Sequence, residues 1–281
     1  MKNILIPTDF SDNAWDALLY AIRLYDNVPS RFYILNTFQI GTSRTTNRMS
    51  SKRGTKLFRV LQEESEKGLQ KIQNYLNENL LNDNHEYKTL SKTGDLYINL
   101  KQIVSQNNID IIIMGTTGAT GAKEIFMGSN AVKVINNIDL CPVLTVPKNY
   151  DFNELKNIAF ATDLKKKFSA LELSSLIELQ TIYQCEISIL HVKEYDNLDE
   201  NQLIELAHIK SLFHNESLTH YKEIGLNGNV AKTIIEFSEK HNVDLVCLVN
   251  HEKKFLQKLM QEAVVKKVNF RSEIPILTIP M

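Results

Sequence analysis

The residues in this chain with the most specific spacing are Gly115, Gly118, Gly128 and Ser129, arranged as G-x2-G-x9-G-[ST]. A further glycine, Gly121, lies between them. Glycine has no Cβ, so backbone N–H groups beside it can come close to a ligand. Val132 and Ile135 follow at helical spacing, which predicts a helix with Ser129 as its N-cap. A helix N-terminus adds unpaired donors and a partial positive charge. The chemistry on offer is phosphate binding by backbone amides rather than by lysine. Two other phosphate loops are excluded. No lysine follows a suitably placed glycine, so there is no G-x-x-x-x-G-K-[ST], and the first glycine spacing is wrong for G-x-G-x-x-G.

Such a cradle has to be positioned by strands and helices. Ile111 to Met114 is a short, largely β-branched run ending at glycine, which predicts a buried strand. Pro142 opens a last strand, Val143 to Val146, and Pro147 closes it. Upstream, Asn3 to Thr8 predicts the first strand, with Pro7 near its end and Asp9 at its carboxyl tip. Ser11 or Asp12 should cap a helix carrying Ala14, Leu18, Ala21, Ile22 and Tyr25. Arg31 to Thr37 predicts strand two. The polar segment Gln39 to Lys56 has five basic residues, Arg44, Arg48, Lys52, Arg53 and Lys56, and no acidic one, and reads as a mobile or functional loop. A helix over Leu57 to Leu80, a strand over Tyr87 to Leu90 and a helix over Tyr97 to Gln106 complete the set. Strand and helix alternate throughout, which argues for a parallel sheet covered on both faces. In such sheets ligands bind beyond the carboxyl ends of strands, where the strand order reverses.

After Pro147 the pattern begins again. Asn157 to Asp163 echoes Asn3 to Asp9, Cys185 to Val192 echoes strand two, Gly228 to Val249 echoes Gly94 to Gly115, and Pro275 to Pro280 echoes Pro142 to Pro147. A whole domain is duplicated. The second copy departs at the cradle. Val249 stands where Gly115 stood and Glu252 where Gly118 stood, and Gln261 or Glu262 falls near the Gly128 position. Side chains and carboxylates there should exclude phosphate.

The glycine pattern, between strand and helix, resembles the ATP-binding subgroup of the universal stress protein family, and the duplication makes the chain similar to a tandem member. The resemblance implies an α/β fold of two tandem Rossmann-like domains, residues 1–148 and 157–281, each a five-stranded parallel sheet with helices on both faces. It implies a sheet reversal between strands one and four, so that Asp9 and Gly115 share one crevice. It implies an ATP site, with or without Mg2+, formed by Pro7, Thr8, Asp9, Thr37, Met114, Gly115, Thr116, Gly118, Gly128, Ser129, Asn130 and Ala131. There Thr8 and Asp9 would face adenosine, and the backbone of Thr37 would meet adenine, although the usual residue at that position is apolar. Gly115, Gly118, Gly128 and Ser129 would hold the phosphates, with the Asn130 and Ala131 amides adding donors. The last strands, Val143 to Val146 and Ile276 to Ile279, would face each other as an intrachain pseudo-dimer, and a homodimer is compatible with this. The second domain is expected to bind no nucleotide.

Composition bounds the remaining classes. A net charge of −1 gives no global field towards nucleic acid or acidic membrane. No stretch of about 18 apolar residues is present. The first residues go directly into a strand without a signal-peptide pattern, which sets a cytoplasmic expectation. Cys141, Cys185 and Cys247 are odd in number and far apart, two of them sit in or beside predicted strands and read as small core residues, and a disulfide or zinc set is not expected. His208, His214 and His220 recur every six residues, about 240° apart around a helix, so they share no face. Nothing looks built for turnover, because phosphoryl transfer needs a fixed metal, a positioned nucleophile and a cation on the transferred group. Lys123 is the nearest cation and reads as solvated. The reading is a nucleotide-binding stress-response protein acting through conformation or a protein partner, with at most slow hydrolysis. The alternative is an interaction module whose duplicated domains form a partner platform. An ATP-dependent ligase is the third class, and its signatures are absent.

Overall fold

The computed structural model describes residues 1–39, 50–117, 127–193, 197–249 and 274–280, with backbone only over 50–55. In the first half the elements are β1 (Lys2–Pro7), α1 (Asp12–Leu24), β2 (Ser30–Phe38), α2 (Ser50–Asn79), β3 (His85–Thr93), α3 (Leu96–Asn107), β4 (Ile111–Gly115), α4 (Ser129–Asn137) and β5 (Val143–Val146). The second half contributes β6 (Asn157–Ala161), α5 (Ser174–Tyr183), β7 (Glu186–Lys193), α6 (Glu200–Leu212), β8 (Thr219–Gly225), α7 (Val230–Lys240), β9 (Leu245–Val249) and β10 (Ile276–Ile279). The strands form one sheet in the order β3-β2-β1-β4-β5-β10-β9-β6-β7-β8. All neighbours are parallel except at the centre, where β10 runs antiparallel to β5 with Leu277 opposite Leu144. The two last strands thus cover each other's edges, which a sheet otherwise leaves open to stray pairing.

Alternation along the strands sorts the core into two faces. Ile4, Ile6, Phe32, Ile34, Ile111 and Ile113 point to α1 and α2, in a cluster that runs on into the second half through Phe160, Ile189 and Leu277. Leu5, Tyr33, Leu35, Ile112 and Met114 point the other way, to α3 and α4. In the second half, Ala159, Leu190, Val246 and Leu248 pack with α7 on that opposite face.

The duplication holds at the level of single hydrogen bonds. The Asn3 amide donates to the Asp110 carboxylate at 2.7 Å, and the Asn157 amide donates to Asp244 at 2.8 Å. Asn108 caps α3 at φ 48°, and Asn242, just after the α7 cap His241, has φ 49°. Gly94 and Gly228 also have positive φ, 107° and 81°, ahead of the caps Asp95 and Asn229.

One expectation changes. The segment Gln39 to Lys56 is not loop throughout, because α2 starts at Ser50. The apolar stripe begins only at Leu57, so the first turns of that helix carry no periodic signal. The rest of the expected loop, residues 40–49 with Arg44 and Arg48, lies outside the described residues. In the second half the helix after β6 starts at Ser174, farther from its strand than α1 is from β1. Residues 163–173 run irregularly, with Leu164, Phe168 and Leu173 buried.

Candidate functional site

β1 lies between β2 and β4, with Ile4 opposite Phe32 on one side and Ile111 on the other. The sheet therefore grows one way through β2 and β3 and the other way through β4 and β5. The reversal falls between β1 and β4, and their carboxyl tips lie side by side. Brought together there are Pro7, Thr8 and Asp9 on one tip and Met114, Gly115 and Thr116 on the other.

The β1 tip is a tight turn. The Thr8 amide donates to the Leu35 carbonyl at 2.8 Å, and the Asn36 side-chain amide donates to the Thr8 carbonyl at 2.7 Å. The Phe10 amide donates to the Thr8 hydroxyl at 3.0 Å, and Phe10 sits at φ 63°. Asp9 is exposed. One of its carboxylate oxygens accepts from the Ser11 amide at 3.1 Å and from the Ser11 hydroxyl at 2.6 Å. Ser11 is the N-cap of α1 and accepts from the Ala14 amide at 3.3 Å. Phe10 lies over Gly68 of α2, so close that a Cβ on Gly68 would stand 2.5 Å from its ring.

On the β4 tip the Met114 side chain is buried among the residues facing α3 and α4. Gly115 has a packing reason to be glycine. A Cβ there would stand 2.7 Å from the Asn13 side-chain oxygen and 2.9 Å from the Asn13 carbonyl. Asn13, which the sequence reading missed, is 2 % exposed. Its side-chain oxygen accepts from the Thr117 amide at 2.8 Å and the Thr117 hydroxyl at 3.1 Å, and lies 3.5 Å from the Thr116 hydroxyl. Its amide nitrogen donates to the Val146 carbonyl at 3.1 Å. One buried side chain thus ties α1 to the tips of β4 and β5. Its signal in the sequence was an amide on the otherwise apolar buried face of Ala14, Ala17 and Ala21, since buried polar groups need partners.

The chain after Thr117 returns to the same tip. The Gly128 amide donates to the Thr116 carbonyl at 2.6 Å. Gly128, not Ser129, is the N-cap of α4, and its φ of −63° and ψ of 154° are extended backbone open to any residue. The Gly128 carbonyl accepts the Val132 amide at 3.1 Å, the first intrahelical bond. Ser129 is therefore the first helical residue. By helix geometry the amides of Ser129, Asn130 and Ala131 have no intrahelical acceptor, and they carry the positive end of the helix dipole. Ser129 and Asn130 are exposed and Ala131 is buried. Thr37 sits one residue before the end of β2, opposite Lys92 of β3 and partly buried. Gly118, Gly121 and Lys123 lie outside the described residues. No group of three or more His, Cys, Asp or Glu placed to hold a metal occurs among the described residues.

The second half keeps the β-strand turn and changes what surrounds it. The Leu164 amide donates to the Thr162 hydroxyl at 3.1 Å and the Lys165 amide to Asp163 at 3.0 Å, with Leu164 at φ 59°. Beyond that, Phe168 packs edge-on against Phe160 at 5.6 Å, and its amide donates to the buried Glu205 carboxylate at 2.9 Å. Gln202 donates to the Asp163 carbonyl at 2.8 Å. Val249, at the Gly115 position, is buried and pairs with Ile279. Glu252, Gln261 and Glu262 lie outside the described residues.

Comparison with known proteins gives a consistent result. The profile of the universal stress protein family matches residues 1–147. A universal stress protein of Methanocaldococcus jannaschii is 29% identical over 147 residues, 52% of this chain and 82% of that one. The solved structure of a universal stress protein from Archaeoglobus fulgidus superposes with a TM-score of 0.70 at 18% identity, covering 99% of this chain and 96% of that chain. The cytoplasmic domain of a prokaryotic cation chloride cotransporter superposes with a TM-score of 0.52 at 11% identity, over 100% of this chain and 96% of that one. At these identities the structural likeness speaks for fold alone, and fold alone does not fix function.

Proposed function

Since the chain belongs to the universal stress protein family, we propose that its N-terminal half, residues 1–148, binds one ATP in the crevice between the tips of β1 and β4. The C-terminal half, residues 157–281, binds none and completes the sheet. Thr8 and Asp9 take the adenosine side, and the Thr37 backbone borders adenine. The phosphates lie against the backbone of Gly115, Thr116 and Gly118 and the amides of Ser129, Asn130 and Ala131, where a helix N-terminus favours negative charge. Mg2+, if bound, would neutralise phosphate charge, and no protein carboxylate set to hold it occurs among the described residues. No metal-holding group of His, Cys, Asp or Glu occurs among the described residues, and the protein acts through nucleotide-dependent conformation or partner binding, with at most slow hydrolysis.

The observation that carries this reading is the hydrogen bond from the Gly128 amide to the Thr116 carbonyl, 2.6 Å. It brings the start of α4 back to the strand tip at the sheet reversal, so three amides without an intrahelical acceptor lie beside the crevice. Isothermal titration with ATP tests it. The expected stoichiometry is one per chain. Gly128→Val should remove most binding, because charge-assisted bonds are worth about 1.5–3 kcal/mol each and several are lost. The extended backbone at residue 128 imposes no φ strain on valine, and urea denaturation of the variant separates lost ligand approach from a displaced helix start. Glu252→Gln should change little. A stoichiometry near two, or full binding by Gly128→Val, refutes the assignment.

A second reading, a partner platform without nucleotide, is favoured by one observation. Gly115 is explained by its packing against Asn13 with no ligand present. Native mass spectrometry of the purified protein separates the two, since only the first predicts an adenine nucleotide travelling with the chain.

A further inference from the structure

β8 is the last strand of the sheet. One edge pairs with β7 from Ile187 opposite Thr219 to Lys193 opposite Gly225, and no strand covers the other edge among the described residues. Beside that edge, between β8 and α7, runs an open groove of about 370 Å3 lined by Lys222, Ile224, Thr233, Phe237, Lys240 and His241 among others. The register explains its make-up. Lys222 and Ile224 lie opposite Leu190 and Val192, which pack on the α7 face, so their side chains point to that face. Phe237 forms an aromatic wall, with the His241 ring stacked on it at 4.3 Å.

The charges at the rim are not balanced. Glu223 accepts from Lys193 at 3.2 Å and from the Tyr221 hydroxyl at 3.2 Å. The Lys193 ammonium holds its carboxyl below the usual range. Glu236 accepts from the Asn227 amide at 2.7 Å and pairs with Lys232 at 3.4 Å. Both carboxylates of the groove are thus engaged. Lys222 and Lys240 are exposed and belong to no ion pair among the described residues. The opposite sheet edge is different, because β3 is flanked by the 30-residue α2 and bonded to it through Ser65 with Ser91 at 2.7 Å and Thr89 with Gln73 at 3.3 Å.

We propose that the β8–α7 groove binds an extended acidic peptide segment of a partner protein, which adds to the sheet as an eleventh strand beside β8. Alternate residues of an edge strand turn N–H and C=O groups outward, and a peptide satisfies them whatever its sequence. An apolar side chain of the peptide fits between Ile224 and Phe237, and its carboxylates meet Lys222 and Lys240. A second copy of this chain is a poor occupant. Antiparallel self-pairing about Lys222 sets lysine against lysine, and like charges directly opposite destabilise a sheet.

The probe is a short fluorescein-labelled peptide alternating aspartate and valine around a central phenylalanine, titrated with the full chain and read by anisotropy. Saturable binding is expected, weakened at least about tenfold by Lys222→Glu with Lys240→Glu, a size typical for truncated or reversed charge pairs. The same peptide N-methylated at alternate amides should not bind, a readout that involves no change to the protein. Absence of binding by the parent peptide, or equal binding by the N-methylated one, overturns the proposal. Sedimentation showing a dimer that Lys222→Glu dissolves would also overturn it, by assigning the groove to a second copy.

Discussion

Substituting Gly115 by alanine tests the tie between α1 and the β4 tip. The new methyl would stand 2.7 Å and 2.8 Å from the Asn13 side-chain oxygen and its carbon, and 2.9 Å from the Asn13 carbonyl oxygen. These separations are below any normal contact, and one of the atoms is backbone, so the helix or the strand tip must shift. Overpacking of this kind costs about 1–3 kcal/mol. Asn13→Ala acts differently. It removes the acceptor of the Thr117 amide and a donor to the Val146 carbonyl. The carbonyl keeps its bond from the Thr116 amide at 3.0 Å, so the loss centres on the Thr117 amide and totals about 2–3 kcal/mol. In the double variant the side-chain clashes disappear and the backbone clash remains. Gly115→Ala should then cost less than it does alone, with a coupling of about 1 kcal/mol or more. Urea denaturation of the four proteins measures the cycle. Additivity within about 0.5 kcal/mol would refute the contact, since independent sites add to that accuracy. If Gly115→Ala left stability unchanged but abolished ATP binding, ligand approach and not packing would be the reason for glycine there.

Gly68→Ala should be nearly neutral, because the gain of up to about 1 kcal/mol in helix propensity is offset by displacing the Phe10 ring that lies over it. In a Phe10→Ala background the same change should stabilise, and a urea midpoint that falls in both backgrounds would refute this. Tyr183→Phe removes the bond that its hydroxyl donates across the halves to the Leu24 carbonyl at 2.7 Å, and should cost about 1 kcal/mol in the same assay, with no effect refuting a role for that bond in joining the halves. Burial pushes the Cys141 and Cys185 thiols and the Tyr150 phenol up to about 12. The unfolded chain ionises these groups first, so their contribution is complete below about pH 9 and is lost as pH rises towards 12. The urea midpoint in reductant should fall over that window, and a flat profile would contradict the burial.

What the sequence by itself determined is everything written in short-range spacing. β-Branched runs ending at glycine or proline mark β4 and β5, and Ser11 with Ala14, Leu18 and Ala21 marks the start and face of α1. The repeat of Asn157 to Asp163 after Asn3 to Asp9 predicts two halves built on one pattern, while the meeting of the last strands, seen in β5 and β10, was implied by the family resemblance. Spacing was silent where the pattern lapses. α2 begins at Ser50, before its apolar stripe, and α4 is capped by Gly128 because backbone position rather than side-chain type chose the cap. The tertiary structure alone decided that Asn13 is buried against Thr117 and Val146, 104 and 133 residues away, and that Gly115 is small for its sake. It also decided that α5 starts only at Ser174, with Phe168 packed on the strand tip and held by Glu205 of α6. Local periodicity reports which way a side chain faces within its own element. Which distant group it meets depends on how the sheet brings strands of remote sequence together, and that is a property of the assembled fold.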